Sequence, residues 1–443
     1  TELVNSGENS LVVRVDNKRN VNAVPTDVTD WWNYGGITRD VSLLVLPSIY
    51  IEDYKFELIG NNKLKGYVQL SSKNSQDIQV KSEELNLNIQ GKTNAQGRYD
   101  FSAELSENIQ LWGPNNPYLY YFLIESEEDQ ITDKIGLRTI RTEGNKLLLN
   151  GKSIFLRGIC AHEENSEKGG RAATKEDALR LLTSAKELNA NFMRLAHYPH
   201  NEYMPRLADS MGILLWEEIP VYWTINWENP KTYKLAEDQL KALISRDKNR
   251  ASVIIWSLAN ETPTNGTRLQ FLKNLASTAR EMDSSRLLSA ALFKENLGDG
   301  NYTISDPFSE YTDLVSFNQY LGWYEGLPDI LDKANFSFKL NKPVIVSEFG
   351  AGAKAGFHAD SLTRWSEEYQ DYLYKETLEL MDCMPNLVGF SPWILYDFRS
   401  PRRQLPKIQD GWNRKGIIGQ KGERKLAFYR LQQYYQKLKE QNN

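Results

Sequence analysis

The sequence predicts a multidomain chain of β and α/β parts. The tail of a β domain spans residues 1–47, an immunoglobulin-like β-sandwich spans 48–141, and a C-terminal (β/α)8 TIM barrel spans 142–443. Three observations carry this reading. About seven short runs of alternating apolar and polar residues, separated by turn signals, fill the stretch before Arg141. After Lys146, eight short apolar runs recur without alternation, as strands buried on both faces of a parallel sheet do. Amphipathic helical stretches lie between those runs, the signature of strand-helix units closing into a barrel.

The tail begins abruptly. Ser10–Val15 and Val41–Leu46 read as strands flanking the aromatic loop Asp30-Trp31-Trp32-Asn33-Tyr34-Gly35-Gly36. Two or three strands do not bury a core alone, so a larger β domain whose beginning is absent is expected. Residue 1 is Thr and no charged-then-apolar leader precedes these strands, so a processed or truncated start is expected. The compartment stays open among secreted, periplasmic and cytoplasmic.

In the sandwich, Ile49-Tyr50-Ile51 followed by Tyr54, Phe56 and Leu58 fits period two. Tyr67–Leu70, Leu85–Ile89, Tyr99–Leu105 and Leu119–Ile124 continue the pattern, and nothing among them carries chemistry. Leu147–Leu156 reads as a hairpin turning at Asn150-Gly151. The predicted barrel strands are Ile154–Ile159, Phe192–Leu195, Gly212–Trp216, Val253–Leu258, Leu287–Ala291, Leu314–Phe317, Pro343–Val346 and Leu387–Ser391. Thr174 with Asp177 resembles a capping box, and Ala178, Leu181, Leu182 and Ala185 then form one apolar stripe. Leu272, Leu275, Ala276 and Ala279 repeat that stripe.

Composition narrows the function. The 53 basic and 58 acidic residues leave a net charge of −5, unsuited to wrapping nucleic acid. No apolar run approaches the roughly 18 residues of a membrane span. Two cysteines, Cys160 and Cys383, exclude a disulfide scaffold and a cysteine-rich zinc cluster. No phosphate-cradling Gly run and no metal-ligand spacing occurs, so neither cofactor nor metal is expected. Eleven Trp and 23 Tyr suit large cores, and equally a sugar site in which pyranose faces stack on aromatic rings.

Barrel sites lie at the C-terminal ends of the strands. The residues following the runs are His162-Glu163-Glu164-Asn165, then Arg194 with His197 and Tyr198, Glu217-Glu218, Asn260-Glu261, Asn318 with Tyr320 and Tyr324, Glu348, and Trp393 with Tyr396-Asp397. Acids, amides and aromatics thus converge on one rim. Two carboxylates after different strands suit glycoside hydrolysis, one protonating the leaving oxygen and one attacking the anomeric carbon. Glu261 and Glu348 are the chosen pair, and Glu217 and Glu218 compete on position alone. Any one of them also fits a salt bridge to a neighbouring cation.

Trp256-Ser257-Leu258-Ala259-Asn260-Glu261 resembles the acid/base signature of glycoside hydrolase family 2, and Ser347-Glu348-Phe349-Gly350 its nucleophile signature. Asp30–Ile37 with Arg39 resembles the loop closing that family's jelly-roll sugar-binding domain, and Arg194-Leu195-Ala196-His197-Tyr198-Pro199 also fits. The resemblance runs over nearly the whole chain in the family's domain order. It implies a retaining mechanism, with Glu261 as acid/base, Glu348 as nucleophile and about 5–5.5 Å between them. It also implies Asn260 on the sugar 2-hydroxyl, Tyr320 orienting Glu348, and Asp30 on hydroxyls at the non-reducing end, as in an exo-acting enzyme. His162 and His197 would touch sugar hydroxyls.

Asp410-Gly411-Trp412-Asn413-Arg414-Lys415-Gly416 resembles the Asn-x-Lys motif of the β-glucuronidase branch, which holds the substrate's C6 carboxylate. A desolvated carboxylate needs a cation and donors, and Lys415 and Asn413 supply both. Gly322-Trp323-Tyr324, Ser366–Gln370 and Trp393 resemble the same branch. Arg414 would recognise a leaving group or face water. The basic stretch Arg399-Ser400-Pro401-Arg402-Arg403-Gln404 departs from the branch, as an added anionic subsite or as a solvated turn. The expected partner is a carbohydrate, a glucuronide or an acidic oligosaccharide. Members of the family often form homo-oligomers, and no interface is legible in the sequence. β-Galactosidase or β-galacturonidase activity is the alternative within the family, and a non-catalytic carbohydrate-binding protein the alternative outside it.

Overall fold

The computed structural model describes residues 4–441. Seven antiparallel strands between Ile51 and Ile135 form the sandwich. Ile51–Ile59, Lys63–Leu70 and Arg98–Glu104 make one sheet. Leu87–Lys92, Asp77–Ser82, Tyr120–Glu125 and Gln130–Ile135 make the other, in that spatial order. Period-two side chains meet between the sheets, where Phe56, Leu64, Val68, Val80, Phe122 and Ile124 are buried.

A short antiparallel hairpin follows, Lys146–Leu149 with Lys152–Ser153. Asn150 and Gly151 both take positive φ, 51° and 76°, as the two-residue turn requires. Its Leu147 and Leu149, with Trp112, pack on residues at the strand starts, among them Leu156, Phe192, Leu214 and Ile345. The hairpin thereby seals the N-terminal end of the barrel.

Eight parallel strands close that barrel in sequence order. They are Leu156–Ala161, Phe192–Leu195, Leu214–Glu218, Val253–Asn260, Leu287–Phe293, Val315–Asn318, Val344–Glu348 and Leu387–Phe390. Each coincides with an expected run to within a few residues. Helices α1 (Lys175–Glu187), α2 (Tyr203–Met211), α3 (Pro230–Asp247), α4 (Gly266–Met282), α5 (Glu367–Cys383) and α6 (Leu426–Gln441) lie outside it. The capping box at Thr174 and Asp177 forms, and the α1 and α4 stripes are buried. No helix among the described residues is long and apolar enough to cross a membrane.

The tail differs from expectation. Neither Ser10–Val15 nor Val41–Leu46 forms a strand. No described strand lies beside either segment to complete a hydrogen-bond ladder, and Val12, Leu43 and Val45 stand 90%, 91% and 90% exposed. Between them the chain lies across the barrel rim. Thr232 Oγ1 and Gln239 Nε2, both in α3, donate to the carbonyls of Asn22 and Val24, and the Trp32 N–H donates to the Arg399 carbonyl. Asp30 and Trp31 are buried.

The sandwich is tied to the barrel through charge. Asp283, fully buried after α4, accepts from Lys55 Nζ at 2.9 Å, Arg286 Nη1 at 2.8 Å and Trp256 Nε1 at 2.9 Å. Burial alone would push its carboxyl up, but Arg286 and Lys55 hold it far below the usual carboxylate range. Such a group stabilises the fold above its unfolded pKa of about 4 and ceases to do so as pH falls. Asp283→Ala leaves buried Arg286 without its ion-pair partner and Lys55 with Glu57 alone, and should cost about 3–5 kcal/mol at pH 7. Urea denaturation checks this, and a loss under about 1 kcal/mol would contradict it.

Candidate active site

The strand termini assemble the site. Arg194, the third residue of the second barrel strand, projects a fully buried guanidinium into the barrel. Its Nη1 donates to Glu348 Oε1 at 2.6 Å and to the Ser347 carbonyl at 3.2 Å. Its Nε and Nη2 grip both oxygens of Glu218 at 3.1 Å, and Nη2 also donates to Asn260 Oδ1 at 2.7 Å. Trp216 Nε1 donates to Glu218 Oε2 at 2.7 Å, and His197 Nδ1 lies 2.7 Å from Oε1. Burial would push Glu218 up, yet Arg194 and His197 bring it down to about 2.

Glu348 ends the seventh strand, in register with Asn318 at the end of the sixth. Tyr320 donates its hydroxyl to Glu348 Oε2 at 2.7 Å, so both carboxylate oxygens are held. Glu261 follows the fourth strand with φ 47°, its N–H on the Ala291 carbonyl. Trp223 Nε1 donates to one of its oxygens at 2.8 Å and Asn318 Nδ2 to the other at 3.0 Å. Asn318 is itself fixed, because Ser347 Oγ donates to its Oδ1 at 2.7 Å. Burial, and then the charge of Glu348, raise the Glu261 carboxyl above its ordinary range. Glu261 is thereby favoured as the acid, while Glu348 is held by a guanidinium and a phenol.

These groups open into a cavity of about 650 Å³. Of the expected residues, Asp30, His197, Glu261, Tyr320, Tyr324, Glu348, Trp393 and Lys415 line it. Lys415 Nζ donates to the Tyr324 hydroxyl at 2.7 Å and lies 4.8 to 5.9 Å from the ring centres of Tyr320, Trp323 and Tyr324. Desolvation works against the Tyr324 phenolate, but Lys415 and Arg403 bring the phenol below its usual pKa. Asn413 Nδ2 donates to Asp30 Oδ2 at 3.2 Å, and its Oδ1 accepts from the Lys415 N–H at 3.2 Å. Asp30 also receives Ser400 Oγ at 2.6 Å and the Arg403 guanidinium. Gln370 Nε2, from α5, braces the carbonyls of Ala351, Lys415 and Gly416.

Arg194, Asn260, Asn318 and Asn413 are buried beside these residues and hold them. Asn260 Nδ2 is buried without a protein partner. Two expected residues are placed elsewhere. His162 lies outside the cavity, ringed by Phe398 at 4.3 Å, Trp393 at 5.2 Å and Trp31 at 5.8 Å, and burial drives its pKa well below normal. Arg414 points away from the cavity, its guanidinium on Asp397 at 3.3 Å and Gln420 Oε1 at 2.7 Å. Alternation along Asn413-Arg414-Lys415 sends the middle side chain to the opposite side. Glu217 likewise turns from Glu218 toward Asp247 of α3, and burial followed by that neighbour's charge raises its carboxyl well above normal.

Sequence reasoning missed Trp223 and Tyr222 as cavity walls, whereas Arg402 and Arg403 of the basic stretch, for which an added anionic subsite was one expectation, do line the cavity. It also missed Trp31, whose ring packs 4.8 Å from Tyr222 and 5.6 Å from His197. The aromatic pair after the third strand and the basic loop after the eighth were the available signals.

Comparison with known proteins shows the family. The family model described as glycosyl hydrolases family 2, TIM barrel domain, matches residues 140–440, and the model described as glycosyl hydrolases family 2 matches 49–138. The chain belongs to glycosyl hydrolase family 2. A β-glucuronidase of Paenibacillus borealis is 29% identical over 90% of the chain and 69% of its own length. A putative β-glucuronidase of Formosa agariphila is 27% identical over 99% of the chain, which spans 58% of that relative. Among solved structures, a family 2 β-galacturonidase of Eisenbergiella tayi bound to galacturonate superposes with a TM-score of 0.84. It is 26% identical, covering 96% of this chain and 78% of that one.

Replacing Arg194 tests the network beneath the cavity. Arg194→Met strands Glu218 and Glu348 in the barrel interior and should cost about 3–5 kcal/mol at neutral pH. Glu218 titrates near 2 when folded and near about 4.3 when unfolded, so its contribution is complete above about pH 5 and fades toward pH 2. The stability gap between wild type and variant, measured by urea denaturation, should narrow across that window. A gap that widens with acidification would contradict the assignment.

Proposed function

We propose that this family 2 glycoside hydrolase is a retaining exo-β-glucuronidase, removing terminal β-D-glucuronic acid through a covalent glycosyl-enzyme. The observation that carries the reading is Lys415. Its ammonium is buried at the wall of the cavity that holds Glu261 and Glu348, and its hydrogen-bond partner there is the Tyr324 hydroxyl. Burying an ammonium is costly unless an anion meets it, and a C6 carboxylate on the bound sugar is such an anion. The names of the Paenibacillus and Formosa relatives support the same sugar.

The chemistry divides between the two glutamates. Glu348, its oxygens ordered by Arg194 and Tyr320, attacks the anomeric carbon as Glu261 passes its proton to the departing oxygen. Glu261, now a carboxylate, then takes a proton from water, whose oxygen displaces Glu348 and regenerates both groups. Asn260 offers its unpartnered Nδ2 to the sugar 2-hydroxyl. Asp30, fixed by Arg403, Ser400 and Asn413, meets the far hydroxyls and blocks extension of the chain beyond the non-reducing residue. A galacturonide has the same acid with an inverted 4-hydroxyl, and the Eisenbergiella structure makes it the second reading.

Lys415→Ala should lower kcat/KM on p-nitrophenyl β-D-glucuronide by roughly 10–100-fold while the β-D-galactoside rate changes little, as expected for a lost charged hydrogen bond. Equal losses on both sugars, or galactoside turnover dominating in the wild type, would argue against the carboxylate clamp. The galacturonide assayed in parallel decides between the epimers.

The alkaline limb of the pH–rate profile belongs to Glu261, which is active while protonated. Trp223 stabilises its carboxylate, so Trp223→Phe should raise the Glu261 pKa and move that limb to higher pH. A limb that moves down, or stays fixed, would assign the proton to another group.

A further inference from the structure

Three cations line the cavity: Arg402, Arg403 and Lys415. Arg403 is matched by Asp30, which it grips with two nitrogens. Lys415 is matched, on the reading above, by the sugar's own carboxylate. Arg402 has no ion-pair partner among the described residues, and a singly charged sugar leaves it without one.

Its position gives it a use. The Arg402 guanidinium carbon lies 5.4 Å from the centre of the Trp223 ring. Trp223 is the residue that donates to Glu261 Oε2. It is held at a φ of 53°, its N–H bonded to the Asn260 carbonyl, so the indole is a fixed platform. The proton for the leaving oxygen comes from Glu261, so the group behind that oxygen must depart past Trp223. Thr224, Pro263 and the half-exposed Phe293 line the same cavity. A guanidinium over an indole ring keeps its donors free for a planar or tetrahedral oxyanion.

We propose that Arg402 forms a leaving-group subsite for an anionic residue, so that the preferred substrate carries negative charge on both sides of the scissile bond. This rests on the β-glucuronidase reading and adds to it the class of leaving group: a sugar bearing a carboxylate or a sulfate ester, as at the end of an acidic oligosaccharide. Solvation alone suits an exposed arginine anywhere on the surface. It gives no reason for one over the tryptophan that orders the proton donor.

The test uses the whole chain and three disaccharides, with glucuronic acid β-linked to a neutral sugar, to a uronic acid and to a sulfated sugar. The wild type should favour at least one anionic disaccharide over the neutral one. Arg402→Ala should lower kcat/KM on that substrate by roughly tenfold or more, mainly through KM, and lower the anionic-to-neutral ratio by a similar factor. Arg402→Lys should recover part of the ratio, and added salt should narrow it in the wild type more than in Arg402→Ala. The anion whose rate falls further identifies carboxylate or sulfate as the group recognised. Equal losses on neutral and anionic disaccharides, or a wild type that prefers the neutral one, would overturn the proposal while the sugar assignment stands. No turnover of p-nitrophenyl β-D-glucuronide by the wild type would overturn the sugar assignment and this inference with it.

Discussion

One buried guanidinium organises the active end of the barrel. Arg194 is surrounded by acceptors: both oxygens of Glu218, one of Glu348, the Asn260 amide oxygen and the Ser347 carbonyl. An arginine so far from water persists only if its donors are met. Burial lowers its pKa, but Glu218 and then Glu348 raise it well above normal. It therefore stays charged throughout, and Glu348 always faces a fixed cation. The barrel's second, third, fourth and seventh strands end on this one group, so their relative positions and the chemistry above them are a single constraint.

The same constraint gives the two carboxyls different partners. Glu348 receives a guanidinium and a phenol, whereas Glu261 receives an indole N–H and a carboxamide, both neutral. Dry surroundings and the nearby charge of Glu348 then favour the proton on Glu261. Asn318 couples the two halves, touching Glu261 with its amide nitrogen and Ser347 with its oxygen.

Much of this was legible in the sequence. The eight barrel strands announced themselves because both faces are buried and their residues are apolar throughout. The strand-end acids followed from the rule that barrel chemistry lies at the C-terminal rim. What failed was direction. Glu217 and Glu218 are neighbours, yet one enters the barrel and the other faces α3. Arg414 sits between two residues directed at Asp30 and Lys415's partners, and its own side chain reaches Asp397 instead. His162 follows the first strand as expected, but the rings of Trp31, Trp393 and Phe398 enclose it. The expected strands of the tail failed for another reason. Apolar alternation describes a willing strand, and pairing also requires a neighbour. The Arg403–Asp30 pair joins residues 373 positions apart, beyond any local pattern.

That long-range pair bears on when the protein becomes competent. Asp30 belongs to the first stretch of this chain, while Ser400, Arg403 and Asn413, which hold it, come from the last. During synthesis Asp30 meets none of these three holders until the chain as far as Ser400 has emerged. The pocket's outer wall is thus a late assembly event, and a nascent chain lacking its final barrel segment has no finished chamber in which to cleave a sugar.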